Sequence, residues 1–369
     1  MASLGSFASL VTRQEEADTT PTCDTGNEYD GRMGLRVAAL FIIWVTSTIG
    51  ASFPIFANRH KGLKVPDWVF FICKYFGSGV IVATAFIHLL APAEDALRNE
   101  CLTGPITDYT WVEGIILMTI FVLFFVELMV MRYGNFGQPH SHGHAHGHSD
   151  TDTELTAATQ ENYKDNPSAE SAPARTLSAT LGEDHLGHTR EHNDIEEANN
   201  PLSLEDYKTQ MTAIFILEFG IIFHSVFIGL TLAVAGSEFD TLFIVIIFHQ
   251  MFEGLGLGSR LAVTPWPKDR KWTPYLLAVG YGLSTPLALG IGLGVRKTYP
   301  PESATTLIVN GVFDSISAGI LIYTGLVELM AHEFMFSPSM RKASIKTVLS
   351  AFFTMCLGAG LMALLGKWA

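Results

Sequence analysis

Eight stretches of this chain are apolar over roughly 34–57, 69–91, 111–132, 209–235, 241–261, 275–295, 304–329 and 347–367. A helix needs about 20 such residues to cross a bilayer. In lipid each backbone N–H and C=O must be satisfied within the structure, and separate runs of this length do that only as helices. The expected fold class is therefore all-α: a polytopic membrane protein with eight transmembrane helices. Composition agrees, with 48% of the 369 residues hydrophobic and 16% charged.

One segment breaks the pattern. Residues 134–207 are rich in Ser, Thr, Asn, Asp, Glu and His and show almost no apolar periodicity. They read as a long disordered cytoplasmic loop between helices 3 and 4. The expected order is then an extracellular tail over 1–33, helices 1–3 within 34–133, the loop, helices 4–5 within 208–261, and helices 6–8 within 262–369, in a 3+2+3 arrangement. The connection 58–68 holds Arg59, Lys61 and Lys64; 262–274 holds Lys268, Arg270 and Lys271; 330–346 holds Arg341, Lys342 and Lys346. Basic connections face the cytoplasm, which puts both termini outside. The net charge of −13 comes largely from the tail and loop. No basic patch with interleaved aromatics points to nucleic acid. The first thirty residues lack the apolar core of a cleavable signal peptide. Cys23 and Cys101 share the oxidising side, where a disulfide between them can form; the sequence leaves that open. Cys73 and Cys356 lie in apolar runs and read as packing residues.

Ionisable residues inside such runs are expensive and normally face a bundle interior or a water-filled path. Ile246 to Leu261 carries His249, Gln250 and Glu253, and the run before it carries Glu218, His224 and Ser225. His249 and Glu253 are four apart, so they share a helix face. With the hairpin tip taken at residue 238.5, His224 and Glu253 fall at equal depth and His249 one turn nearer the outside, level with Ile228. Two imidazoles and a carboxylate, flanked by Ser225 and Gln250, suit a borderline divalent ion. The plainer alternative is a buried His–Glu pair that locks the hairpin. Further polar residues mark a path: His88, Glu94 and Asp95 towards the outside, Glu218, Glu328, His332 and Glu333 towards the inside. Lys74 and Arg260 sit where their charges can snorkel to the interface. Gly254 and Gly258 have the spacing of a close helix crossing, or of a mobile point. In the loop, His140, His142, His144, His146 and His148 alternate strictly, a pattern that binds transition metals adaptively.

His224-Ser225-Val226-Phe227-Ile228-Gly229 and His249-Gln250-Met251-Phe252-Glu253-Gly254-Leu255-Gly256 resemble the helix-4 and helix-5 signatures of ZIP metal-ion transporters, the plant and fungal branch in particular. The segment from Cys23 to Ala57 is similar to that of fungal plasma-membrane zinc importers of this family. Other branches place an acidic residue four after the helix-4 histidine, with a proline before it. Ile228 and Phe227 stand there in this chain, which implies one principal metal site. The resemblance implies a multi-pass plasma-membrane protein that moves divalent metal towards the cytosol, Zn²⁺ first, with Fe²⁺, Mn²⁺ or Cd²⁺ as alternatives.

The expected function is thus import of Zn²⁺ through an intramembrane site of His224, Ser225, His249, Gln250 and Glu253, with metal as cargo, no cofactor and no enzymatic activity. The lipid bilayer and divalent ions are the expected partners, and a homodimer is left open. Two other classes are a metal sensor with the same site but no flux, and a haem protein with His224 and His249 as axial ligands, in which Glu253 would be an unexplained cost. No H-E-x-x-H or G-x-S-x-G motif supports an intramembrane enzyme.

Overall fold

The computed structural model describes residues 22–24, 26–27, 29–60, 65–133, 204–267, 270–297 and 300–368. The histidine-rich segment with His140 to His148 lies outside these residues, as do Lys61, Lys64 and Lys268. Among the described residues there are helices and no strands. Eight helices are long and apolar enough to span a membrane. They are α1 (Met33–Arg59), α2 (Asp67–Leu97), α3 (Trp111–Tyr133), α4 (Leu204–Val234), α5 (Phe239–Val263), α6 (Thr273–Val295), α7 (Ala304–Tyr323, continuing through Thr324–Phe336) and α8 (Ile345–Leu365). Helix α4 starts five residues before the sequence boundary of 209.

Two of the helices change pitch along their length. In α2 the stretch Thr84–Leu90 is π-helical, and in α7 the stretch Thr324–Phe336 is as well. The first contains His88 and the second contains Glu328, His332 and Glu333. Such wide turns are rare and gather at functional sites. They also alter the count. Taken as separate α-helices, Asp67–Ala83 and Ala91–Leu97 are two, so the segment 134–203 follows the fourth α-helix rather than the third.

The 3+2+3 order of the chain interleaves in space. Helix α5 packs mainly on α1 and α2, while α4 packs on α6 and α7. Helix α1 also packs on α6, α2 on α8, and α3 on α7. Helices α4 and α5, although joined by a short turn, touch each other little. Their facing sides are therefore left for polar groups. The large apolar side chains left uncovered, such as Phe121, Val122 and Phe125 on α3, form the lipid-facing surface of the spans.

Small residues let α5 be gripped from two sides. A Cβ on Gly256 would lie 2.9 Å from the Gly77 carbonyl oxygen, and one on Gly254 would lie 3.0 Å from both the Ala51 nitrogen and Tyr281 Cε1. Close backbone approach without side chains between is the usual way helices associate where no hydrophobic driving force separates protein from lipid.

Each end of the bundle has its own fastenings. At one end Cys23 is disulfide-bonded to Cys101, which settles the pairing the sequence left open. Arg36 is fully buried there. It donates to the carbonyls of Leu232 and Ala233, each at 3.0 Å, and to Asp30 at 2.8 Å. A cation at the C-terminus of α4 meets unpaired carbonyls and the negative end of the helix dipole. Arg36 and Arg32 together hold the Asp30 carboxyl below the ordinary carboxylate range. Arg32 also pairs with Asp240 at the start of α5, at 2.7 Å. At the other end Asn58 donates to the Ala262 carbonyl and Arg59 to that of Lys271. Cys73 is half-buried and Cys356 exposed, so neither is a core packing residue.

The crossing of α2 and α5 gives a direct test. Gly77→Ala places a methyl against the Gly256 backbone, and overpacking of this kind costs about 1–3 kcal/mol. Gly280→Ala, where nothing lies within 4 Å, is the control. We expect the first variant to melt several degrees lower in detergent and the second to melt no lower than the parent.

Candidate metal site

The gap between α4 and α5 holds the polar residues singled out above. His224 and Ser225 come from α4, and His249, Gln250 and Glu253 from α5. All five are buried, with Ser225, Gln250 and Glu253 fully so. The rings of His224 and His249 are 5.7 Å apart, centre to centre. Gln250 Nε2 lies 3.5 Å from Ser225 Oγ. His224 therefore sits beside His249, the residue that the sequence count placed one turn further out. The reason is the hairpin tip. Helix α4 ends at Val234 and α5 starts at Phe239, which centres the turn at about 236.5. His224 and His249 are each 12.5 residues from that centre.

His88 joins them from the π-helical turn of α2. Its ring lies edge-on to His249 with centres 4.7 Å apart, and its Nε2 is 3.0 Å from the Met362 carbonyl oxygen of α8. Three imidazoles thus run in a row from α2 through α5 to α4. Below His249 on its own helix, Glu253 Oε2 is 3.7 Å from His249 Nε2. That is too long for a hydrogen bond. Both nitrogens of His224, Nε2 of His249, Oε1 of Gln250 and both carboxylate oxygens of Glu253 make no hydrogen bond within the polypeptide. Each such buried atom costs about 1–3 kcal/mol if it stays unsatisfied. A concentration of this size in one gap has no structural return and points to a polar occupant. The spacing fits one. Two donors on a tetrahedral ion with bonds of about 2.1 Å lie roughly 3.4 Å apart, and two imidazoles on it have ring centres roughly 5 Å apart. Among the described residues no three His, Cys, Asp or Glu groups converge as they stand into a closed metal cage.

Tyr281 of α6, which the sequence reading passed over, supports this turn from behind. It is fully buried and its hydroxyl donates to the Gln250 carbonyl at 2.6 Å. A Tyr in a largely apolar helix gives little signal until its partner is known.

The other path residues differ in their engagements. Glu218 is buried with one carboxylate oxygen unpartnered, and Glu328 also keeps one such oxygen. His332 Nδ1 is 3.2 Å from Glu328 Oε2. Glu94 is held by Arg98 at 2.5 Å, while Asp95 is exposed. Glu333 accepts from Arg260 at 2.6 Å and pairs with Lys74. Lys74 and Arg260 thus turn inward to a shared carboxylate instead of snorkelling.

The fold and these buried groups define a multi-pass helical membrane protein with a polar, histidine-rich centre. A family model described as ZIP Zinc transporter matches residues 33–366, and the chain belongs to that family of transport proteins. It is 43% identical to Zinc-regulated transporter 2 of Saccharomyces cerevisiae, over 98% of this chain and 99% of that protein. Zinc-regulated transporter 1 of Schizosaccharomyces pombe is 40% identical over 98% of this chain and 93% of that one. Zinc transporter 3 of Arabidopsis thaliana is 30% identical over 95% and 90% respectively.

A stability test follows from the unpaired carboxylate. Glu253→Gln removes a buried ionisable group that has no hydrogen-bond partner. In buffer containing a metal chelator, this variant is expected to melt at a higher temperature than the parent, since groups kept for function at such sites are often destabilising. An equal or lower melting temperature would show that the polypeptide already stabilises the carboxylate.

Proposed function

We propose that this chain imports Zn²⁺ across the plasma membrane into the cytosol, by way of an intramembrane site of His224, Ser225, His249, Gln250 and Glu253. The observation that carries the proposal is the pair His249 and Glu253, 3.7 Å apart with orphaned donor atoms. This spacing is too wide for a hydrogen bond and close to that of two ligands on one ion. The names of the fungal and plant relatives support zinc as cargo.

Each residue has a chemical task in this reading. Neutral imidazoles of His88, His249 and His224 replace water around the arriving ion. Glu253 supplies a negative charge, without which a dication in a low-dielectric interior would be uncompensated. Asp95 is an exposed acidic group near the outer approach, and Glu94 shares its charge with Arg98. On the inner side Glu218 and Glu328 offer carboxylate oxygens, followed by His332. The five loop histidines, His140 to His148, would receive or buffer the ion. A membrane potential, negative inside, favours inward movement of two charges by roughly 5 kcal/mol per 100 mV. The end carrying Arg59 and Lys271 faces the cytosol here, and the disulfide end faces outside. The relatives' names favour Zn²⁺ over Fe²⁺, Mn²⁺ or Cd²⁺, and the expected flux separates a transporter from a sensor.

Uptake of radiolabelled zinc into proteoliposomes tests the site. His249→Ala and Glu253→Ala are each expected to lower uptake at least tenfold at equal protein content. Undiminished uptake in both would reject the assignment. Protons compete with metal for imidazole and carboxylate, so uptake should fall steadily from pH 7 to pH 5, and a flat profile would count against these ligands. A variant lacking the alternating histidines between His140 and His148 should still transport.

A further inference from the structure

Two half-buried cations near the basic end converge on one carboxylate. Glu333 of α7 is bonded by Arg260 of α5, Nη1 to Oε1 at 2.6 Å, and by Lys74 of α2 through its other oxygen. Arg260 also donates from Nη2 to Ser78 Oγ of α2 at 2.9 Å. All three charged side chains are largely withdrawn from the surface, at 12%, 16% and 24% exposure for Arg260, Glu333 and Lys74. The group carries a net charge of plus one.

Its position relative to the candidate site follows from helix geometry. Arg260 is seven residues beyond Glu253 and eleven beyond His249 on the same helix. At 100° per residue both offsets return to within about 20° of the same face. Arg260 therefore lies on the ligand stripe of α5, about 10.5 Å further towards the basic end. Between them Gly256 meets the Gly77 backbone, which closes the stripe against α2. Level with the charges, Tyr75 packs edge-on to Phe334 at 5.3 Å, and Tyr75 and Met340 form a small apolar cluster. A cation leaving along this stripe meets a backbone contact and then a net positive charge flanked by apolar side chains.

We infer that Lys74, Arg260 and Glu333 form an ionic latch that holds α2, α5 and α7 together on the exit side of the site, and that this latch opens in each transport cycle. The inference rests on the proposed zinc site and assigns Glu333 to closure, not to ion coordination. A half-buried ion pair joining different helices suits this use. It holds while both partners are in place, and its loss exposes charges that water in an opened path can solvate. The latch also confines the ion until α5 and α2 separate.

Cross-linking tests this in the full chain. Arg260→Cys and Glu333→Cys are introduced together in a background with Cys73→Ser and Cys356→Ser, and Cys23 and Cys101 are left paired. The purified protein is treated with a short bifunctional thiol reagent before reconstitution. Cross-linked protein is expected to bind radiolabelled zinc as the untreated protein does and to lose at least tenfold in zinc uptake. In parallel, Glu333→Gln, which cannot pair with two cations, should raise turnover per molecule about threefold or more. Cross-linked protein that transports at the untreated rate would overturn the latch. Should the untreated cysteine pair be inactive, Glu333→Gln decides alone, and turnover equal to or below the parent's overturns it. Failure of the zinc site itself would appear separately, as absent zinc binding or uptake in the parent.

Discussion

A helix can carry His249, Gln250 and Glu253 through the middle of a membrane only if that turn is kept from lipid on every side. The structure meets this requirement by enclosing α5. Glycines at 254 and 256 allow α1 and α2 to approach at backbone distance and admit the Tyr281 ring of α6, whose hydroxyl ties the Gln250 carbonyl from behind. Helix α4, although next in the chain, is held off by its own packing on α6 and α7. The polar gap between α4 and α5 is thus a result of where the glycines lie. Close packing on one face of α5 leaves room on the other.

Much of this architecture is legible in the sequence, because lipid permits few alternatives. Runs of spanning length gave the eight helices, and costly residues within them marked His224, His249 and Glu253. The turn between α4 and α5 is centred slightly earlier than the tip taken from the apolar runs, because helix hydrogen bonding stops at Val234 and resumes at Phe239. Partner choice was harder still. Lys74 and Arg260 each look like snorkelling residues on their own helix, and only the packing of α7 brings Glu333 between them. Arg36, near the start of an apolar run, drew no notice in the sequence, yet it caps α4 from full burial. In each case the missing information is a contact between distant helices, which periodicity along one helix does not encode.

The two ends of the bundle are fastened by different chemistry. One end has a covalent bond between Cys23 and Cys101 and an arginine spread over helix-end carbonyls. The other relies on side-chain charges shared among three helices. Ionic and hydrogen-bonded contacts can be exchanged with water, whereas the disulfide must be chemically reduced to part.

The wide turn in α2 has a consequence for how the chain tolerates change. Before it, Gly77 faces α5 and Gly79 faces α8; after it, Ala93 and Leu97 face Gly311 of α7. A π turn takes up an additional residue relative to regular pitch. Removing a single residue between Thr84 and Leu90 would let this stretch return to regular pitch, which keeps the Ala93–Leu97 face on α7 and loses only the wide turn that carries His88. A deletion is thus absorbed within the turn, and its effect falls on the histidine rather than on the packing of the helix beyond it.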